Sequence, residues 1–190
     1  GVRPEKFTYK GKEYTPKSFA ESLPIKMEDY VEITSFTHHP FYSKFVLEVP
    51  DNWMWDAMYN IPMGEMMAIV DACIEAGHPV AWGTDVSEKG FSRQKAIAVI
   101  PEVVEKNTIG SDAEHWGKLS DAEKQAMINN LEGPMKEKTI TQEMRQEAYD
   151  NYQTTDDHGM VIVGTAVDQA GNPFYLVQNS WGDNGPYKGF

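Results

Sequence analysis

Apolar residues recur at intervals of three and four through Met63, Met66, Met67, Val70, Cys73 and Ile74, the spacing of one face of an α-helix. Pro62 stands before this stretch and Gly77 after it, so a helix opened by Pro62 and closed by Gly77 is predicted. Pro79-Val80-Ala81-Trp82-Gly83-Thr84 follows directly. It is too short and too glycine-bounded for a helix and is predicted to be a buried strand. Near the other end, Met160–Val167 is strongly β in character, Asp168–Asn172 carries turn residues, and Pro173–Gln178 is β again, which predicts an antiparallel hairpin. Residues 1–50 are interrupted by Pro16, Pro24 and Pro40 and read as short strands and turns, with Val31–Phe36 alternating like a half-buried strand. From 101 to 157 the composition shifts. Ser111-x-x-Glu114 and Ser120-x-x-Glu123 are capping-box patterns, followed by polar helix-favouring stretches to Leu131 and from Gln142 to Tyr152. This is predicted to be a charged helical insertion whose acidic excess is a solvated face. No repeat or flexible linker is visible. The pattern as a whole is α+β.

Charge and composition narrow the function classes. Seventeen Lys and Arg against twenty-nine Asp and Glu give a net charge of −12 over 190 residues, and such a surface repels phosphate backbones, so a nucleic-acid partner is not expected. With 41% apolar and 12% aromatic residues the chain reads as globular, and no apolar run approaches the ~20 residues of a membrane span. A single cysteine, Cys73, rules out an internal disulfide and a cysteine-rich zinc cage. Gly1-Val2-Arg3-Pro4 shows no native start, and Tyr187-Lys188-Gly189-Phe190 reads as the opening of another strand; truncation at both ends is expected.

The hairpin carries the candidate chemistry. It puts His158 at the start of its first strand and Asn179 at the end of its second, so antiparallel pairing is expected to bring them side by side. A histidine held by an amide oxygen has one ring nitrogen fixed as a donor, leaving the other free to exchange a proton with a nucleophile or substrate. The remaining candidates read as structural. His38 and His39 are adjacent, so in an extended segment their rings face opposite ways and do not share a metal. His78 follows Gly77 and can cap helix carbonyls, and His115 lies in the polar insertion. No HExxH or comparable ligand spacing occurs, and three consecutive residues, Asp156-Asp157-His158, rarely converge on one ion. Neither a metal nor a cofactor is expected. The Met63, Met66, Met67 stripe reads as core packing, as do Trp53 and Trp55, whose other use would be a cleft wall.

Asp157-His158-Gly159 opening an apolar strand, followed 21 residues later by Asn179-Ser180-Trp181-Gly182 after another, resembles the papain-like cysteine peptidases. In that family an Asp-His-small step supplies the catalytic histidine, Asn-Ser-Trp-Gly supplies the asparagine that orients it, and the tryptophan roofs their hydrogen bond. The resemblance implies His158 as acid and base, Asn179 as orienter, and Trp181 and Asp157 in support. Gly185 to Phe190 looks like the Gly-Tyr strand start that follows in such enzymes. Tyr59-Asn60 through the Met-rich helix to Val80-Ala81-Trp82-Gly83-Thr84-Asp85-Val86 is similar to the bleomycin hydrolase and aminopeptidase C branch, where a longer insertion comes next. The resemblance spans roughly residues 15–190 and is strongest at 59–91 and 154–190.

The family's nucleophile sits in a Gly-x-Cys-Trp type motif at a helix start, after an oxyanion-donating Gln, and neither occurs here. Cys73, flanked by Ala72 and Ile74, reads as a buried structural thiol. The resemblance therefore implies that residues 1–190 are the C-terminal half of a papain-like domain, mostly its strand-rich, barrel-like antiparallel lobe, with 101–157 as an insertion. The lobe bearing the thiol would be supplied in cis or by a second chain. Peptides are the implied substrates, with cleavage at or near their N-termini; the family's closed multimers leave a homo-oligomer open. Cytoplasmic location is implied by the family alone, and export stays open. The alternative is an inactive peptidase-like module used for peptide binding or assembly. A transglutaminase-like acyl transferase usually orients its histidine with Asp, and Asn179 argues against it.

Overall fold

The computed structural model describes residues 2–102, 120–183 and 187–190. The Ser111-x-x-Glu114 pattern, His115 and Gly185 lie outside the described residues. The chain divides into two compact units, Gly1–Glu32 and Ile33–Phe190. In the first, strands β1 (Phe7–Tyr9) and β2 (Lys12–Tyr14) pair antiparallel around Lys10 and Gly11, both at positive φ (47° and 77°), as a two-residue type I′ loop requires. Pro16 does more than interrupt. It opens helix α1 (Pro16–Glu21), capped by the Thr15 hydroxyl accepting from the Ser18 N–H, at a position where the missing N–H costs no bond. Phe19 meets Phe7, Tyr9 and Tyr14 edge-on, with centroids 5.3, 5.4 and 5.3 Å away.

The second unit is α+β, with two three-stranded sheets. One contains β3 (Ile33–Thr34), β4 (Ser43–Val46) and β5 (Ala57–Asn60) in the order β3-β5-β4. The other is formed by β6 (Val80–Thr84), β9 (His158–Val167) and β10 (Pro173–Gln178) in the order β10-β9-β6. A small hairpin, β7 (Phe91–Ser92) and β8 (Ile97–Ala98), stands apart. Helices α2 (Met63–Glu75), α3 (Asp121–Asn129) and α4 (Gln142–Asp150) complete it. No helix among the described residues is long and apolar enough to cross a membrane.

The expected barrel-like antiparallel lobe is corrected: among the described residues the sheets are small and open, and β3 pairs with β5 in parallel. The expected strand Val31–Phe36 shrinks to Ile33–Thr34 because a side chain takes over the ladder. The fully buried Asn60 accepts from the Phe36 N–H at 2.9 Å and donates to its carbonyl at 2.8 Å, doing for one residue what a neighbouring strand would do. The same carboxamide donates to the carbonyls of His39 and Pro40, so the chain turns where extension was expected. The His38 and His39 rings consequently lie 4.9 Å apart, His39 stacked on Phe45 and His38 on Tyr149. The expectation that they face opposite ways fails because the segment is a turn. Phe36, Phe45 and Leu47 form the core beneath them, with Val49, Met58 and Tyr149 packed around.

Helix α2 runs as its periodicity predicts. Its end is a Schellman motif: the Gly77 N–H bonds to the Ile74 carbonyl and the His78 N–H to the Cys73 carbonyl, with Gly77 at φ 82°. The backbone of His78 does the capping expected of its imidazole. At the other end the Gln142 carboxamide oxygen accepts from the Met63 N–H at 2.8 Å and from the Ser35 hydroxyl. Helix α4 is thus no purely solvated face, and its buried Gln146 also accepts from the Thr37 N–H. Three burial expectations are corrected. Val70 is the buried residue of α2; Met63, Met66 and Cys73 are half-buried and Met67 is exposed. Strand β6 lies at a sheet edge with Trp82 40% exposed. Trp53 and Trp55 are 77% and 66% exposed, on a turn that Asn52 pins by donating to the Leu47 and Asp56 carbonyls.

Candidate active site

Strand β9 is the central strand of its sheet, pairing with β6 so that Thr84 lies opposite His158 and with β10 so that Pro173 lies opposite Val167. Asp168 makes the connection: its Oδ1 accepts from the Ala170 and Asn172 N–H groups, and Gly171 takes φ 84°. From Pro173 to Leu176 the register is regular, Leu176 facing Gly164, but Val177 faces Ile162. This bulge leaves Val163 as an extra residue of β9.

The bulge decides the site. Continued without it, the register would set Asn179 opposite Val161, on the opposite sheet face from His158. With it, Asn179 falls in line with Met160 and hence with His158, because side chains alternate with period two. The His158 Nε2 and Asn179 Oδ1 atoms are 2.9 Å apart. The Ser180 N–H donates to the same Oδ1 at 2.7 Å, which identifies that atom as the carbonyl oxygen. Nε2 therefore donates the hydrogen and Nδ1 keeps the lone pair. The Asn179 N–H in turn donates to the Gly189 carbonyl at 2.8 Å. Tyr187–Phe190, expected as a strand, is a turn with Lys188 and Gly189 at φ 50° and 92°.

Trp181 packs against the imidazole: its ring centroid lies 5.2 Å from that of His158 with the planes at 37°, and Phe91 meets the same indole edge-on at 6.1 Å. The Arg93 guanidinium lies over the indole at 4.4 Å. Asp157 does not touch the imidazole through any bond among the described residues. Its Oδ1 accepts from the Val86 N–H, and its own N–H donates to the Thr84 carbonyl, so it clasps the start of β9 to the end of β6. Cys73 is half-buried on α2, and the ring's partners among the described residues are Asn179 and Trp181.

Sequence reasoning assigned no role to the second clasp. Asp85, 9% exposed, accepts from the Ser87 N–H at 2.7 Å through Oδ1 and from the Thr155 N–H and hydroxyl at 2.6 and 3.0 Å through Oδ2. Only its place after Gly83-Thr84 hinted at importance. Burial pushes the Asp85 carboxyl up, but these bonds from Thr155 and Ser87 together hold it below its ordinary value. A carboxyl that is a stronger acid folded than unfolded stabilises the fold fully above its unfolded value, near pH 4, and loses that contribution as pH falls through the folded value. Asp85→Asn should therefore flatten the acid limb of a stability-against-pH curve. An unchanged limb would remove Asp85 from the clasp.

Next to it, Asp156 is raised, first by burial and then by the charges of Asp51, Asp157 and Asp85, and its Oδ1 is buried without a hydrogen-bond partner among the described residues. Gly83 makes room for it, since a Cβ there would come 3.0 Å from both carboxyl oxygens. Among the described residues no three His, Cys, Asp or Glu are placed to hold a metal ion.

No family model matches the chain, and no curated protein matches it. Its fold is that of part of a larger protein of known structure. That protein is PepW from Lactobacillus rhamnosis HN001 (DR20), solved as the selenomethionine derivative: the likeness covers 100% of this chain and 40% of PepW, with a TM-score of 0.60 and 20% sequence identity. The likeness is one of fold, and the chain spans less than half of PepW's length.

Proposed function

We propose that this chain supplies the histidine and asparagine of a cysteine peptidase, an aminopeptidase by its resemblance, whose thiol lies outside the 190 residues. The observation that carries the reading is the 2.9 Å contact between His158 Nε2 and Asn179 Oδ1 beneath the Trp181 ring. It leaves Nδ1 as the nitrogen that takes the proton of a thiol, and the resulting imidazolium lowers the thiol's pKa. The thiolate attacks the scissile carbonyl carbon, His158 returns the proton to the departing amine as the C–N bond breaks, and water hydrolyses the thioester. Trp181 keeps water from competing for the histidine–asparagine hydrogen bond. On this reading residues 1–190 are the C-terminal half of the peptidase domain and 101–157 an insertion within it. The PepW likeness, which leaves well over half of that protein unmatched, is compatible with a missing lobe.

The test is to treat the complete protein with an irreversible thiol-directed epoxide and map the adduct by mass spectrometry. The adduct is expected on a cysteine outside this chain, with peptide hydrolysis lost in proportion. Labelling of Cys73 would overturn the assignment, hydrolysis that survives full labelling would overturn the thiol mechanism, and a complete protein that neither takes the label nor hydrolyses peptides would point to the non-catalytic module.

A further inference from the structure

Beside the Trp181 ring lies a depression of about 340 Å³, walled by Val86, Phe91 and Trp181 and lined by Arg93, Gln125 and Asn129. Its one charged group is the Arg93 guanidinium, and Gln94 completes the polar lining. Arg93 is exposed, in a chain of net charge −12, and no carboxylate among the described residues lies within ion-pair distance of it. Asn129 Oδ1 is already taken by the Ser92 hydroxyl, with the Gln125 amide at 3.4 Å, which leaves the Asn129 nitrogen to donate. The position of Arg93 is built, not incidental. It is the first residue of the β7–β8 turn. That turn is anchored to the α3 region twice, by the buried Ser92 on Asn129 and by the Lys95 ammonium on the Leu131 carbonyl at 3.0 Å.

One indole ring therefore touches both the imidazole of His158 and the guanidinium of Arg93. In the peptidase reading, on which this inference rests, His158 hands its proton to the departing amine, so groups around that amine belong to the leaving half of the substrate. One residue spans about 3.5 Å, which brings a carboxylate on the first or second leaving residue to the Arg93 side of the indole. We propose that the depression is a carboxylate subsite for the leaving half, with Arg93 as its charged anchor and the Asn129 amide as a second donor. The carboxylate is either the free C-terminus of a short leaving segment or an acidic side chain on the first leaving residue.

Two measurements test it. In the first, the complete protein is titrated with alanyl-alanine and with its C-terminal amide, following the Trp181 indole N–H signal by NMR. The free carboxylate is expected to bind about fivefold more tightly, and Arg93→Gln to erase the difference. In the second, the complete enzyme hydrolyses three peptides that differ only in the leaving residue: one with a free carboxylate, one with a carboxamide, and one with a carboxamide end and an Asp side chain. Preference for the first places the C-terminus in the subsite, and preference for the third places the side chain there; either should vanish in Arg93→Gln, read as the ratio to the carboxamide rate of the same variant. Equal binding and equal rates, or a preference that survives Arg93→Gln, overturn the inference. If no peptide is hydrolysed but the binding preference holds, the peptidase reading falls and the carboxylate site stands.

Discussion

On the proposed peptidase reading, Asn179→Ala in the complete protein is expected to lower kcat by roughly 10²-fold, within the range that positioned proton transfer contributes, while KM moves by about twofold at most. The cause is geometric. Asn179 Oδ1 accepts from His158 Nε2 and from the Ser180 N–H; without it, no other hydrogen bond among the described residues selects the tautomer that leaves Nδ1 unprotonated, and the ring can turn about its χ angles beside Trp181. Because the asparagine side chain serves to hold the histidine and the Ser180 N–H, the loss belongs in turnover. Asn179→Asp keeps an oxygen at the same place and is expected to retain far more activity than the alanine variant. Steady-state kinetics on both variants decide it: unchanged kcat in Asn179→Ala removes the orienting role, and a rise in KM alone makes the residue a substrate contact.

Gly90→Ala is expected to destabilise the second unit by about 3 kcal/mol, the upper part of the range for overpacking, and to lower Tm by roughly 10 °C. A Cβ at this position would stand 2.0 Å from the Val99 carbonyl oxygen, and that obstruction is backbone, which cannot swing aside as a long side chain would. The strands flanking the β7–β8 hairpin approach so closely because the Val99 N–H donates to the Gly90 carbonyl at 3.1 Å. Forcing them apart moves Phe91 and Arg93, the two residues that pack on Trp181 from this side. Gly64→Ala is the control: nothing lies within 4 Å of its Cβ, and alanine in a helix is favoured by about 1 kcal/mol over glycine. Calorimetry on the two variants should therefore show opposite signs, and equal Tm values would mean the Gly90 approach is slack.

The legible parts of this chain were those where local chemistry and tertiary packing agree. The run from Met63 to Gly77 carries both a 3.6-residue period and its own stop signal, and it folds as a helix with a glycine-closed end. The β-rich runs around Asp168–Asn172 carry their turn between them and fold as a hairpin. What misled were positions where apolar character was read as burial. Trp53, Trp55, Met67 and Trp82 are apolar yet exposed, because burial depends on which other element arrives to cover a face, and no local pattern states that. Val31–Phe36 alternates as a strand should, but the Asn60 side chain, 24 residues away from Phe36, offers its backbone a competing partner.

The sequence by itself determined the residue types of the candidate site and the hairpin that carries them: a histidine before one β run, an asparagine and a tryptophan after the next, and a turn between. It left undetermined which face each residue occupies. That depended on a single extra residue at Val163, since a strand's side chains alternate with period two and a one-residue shift reverses every residue beyond it. The clasps formed by Asp85 and Asp157, and the arrival of Phe91 and Arg93 at the indole, likewise exist only in three dimensions. Each joins segments far apart in the chain, and their meeting depends on how whole strands and helices pack together.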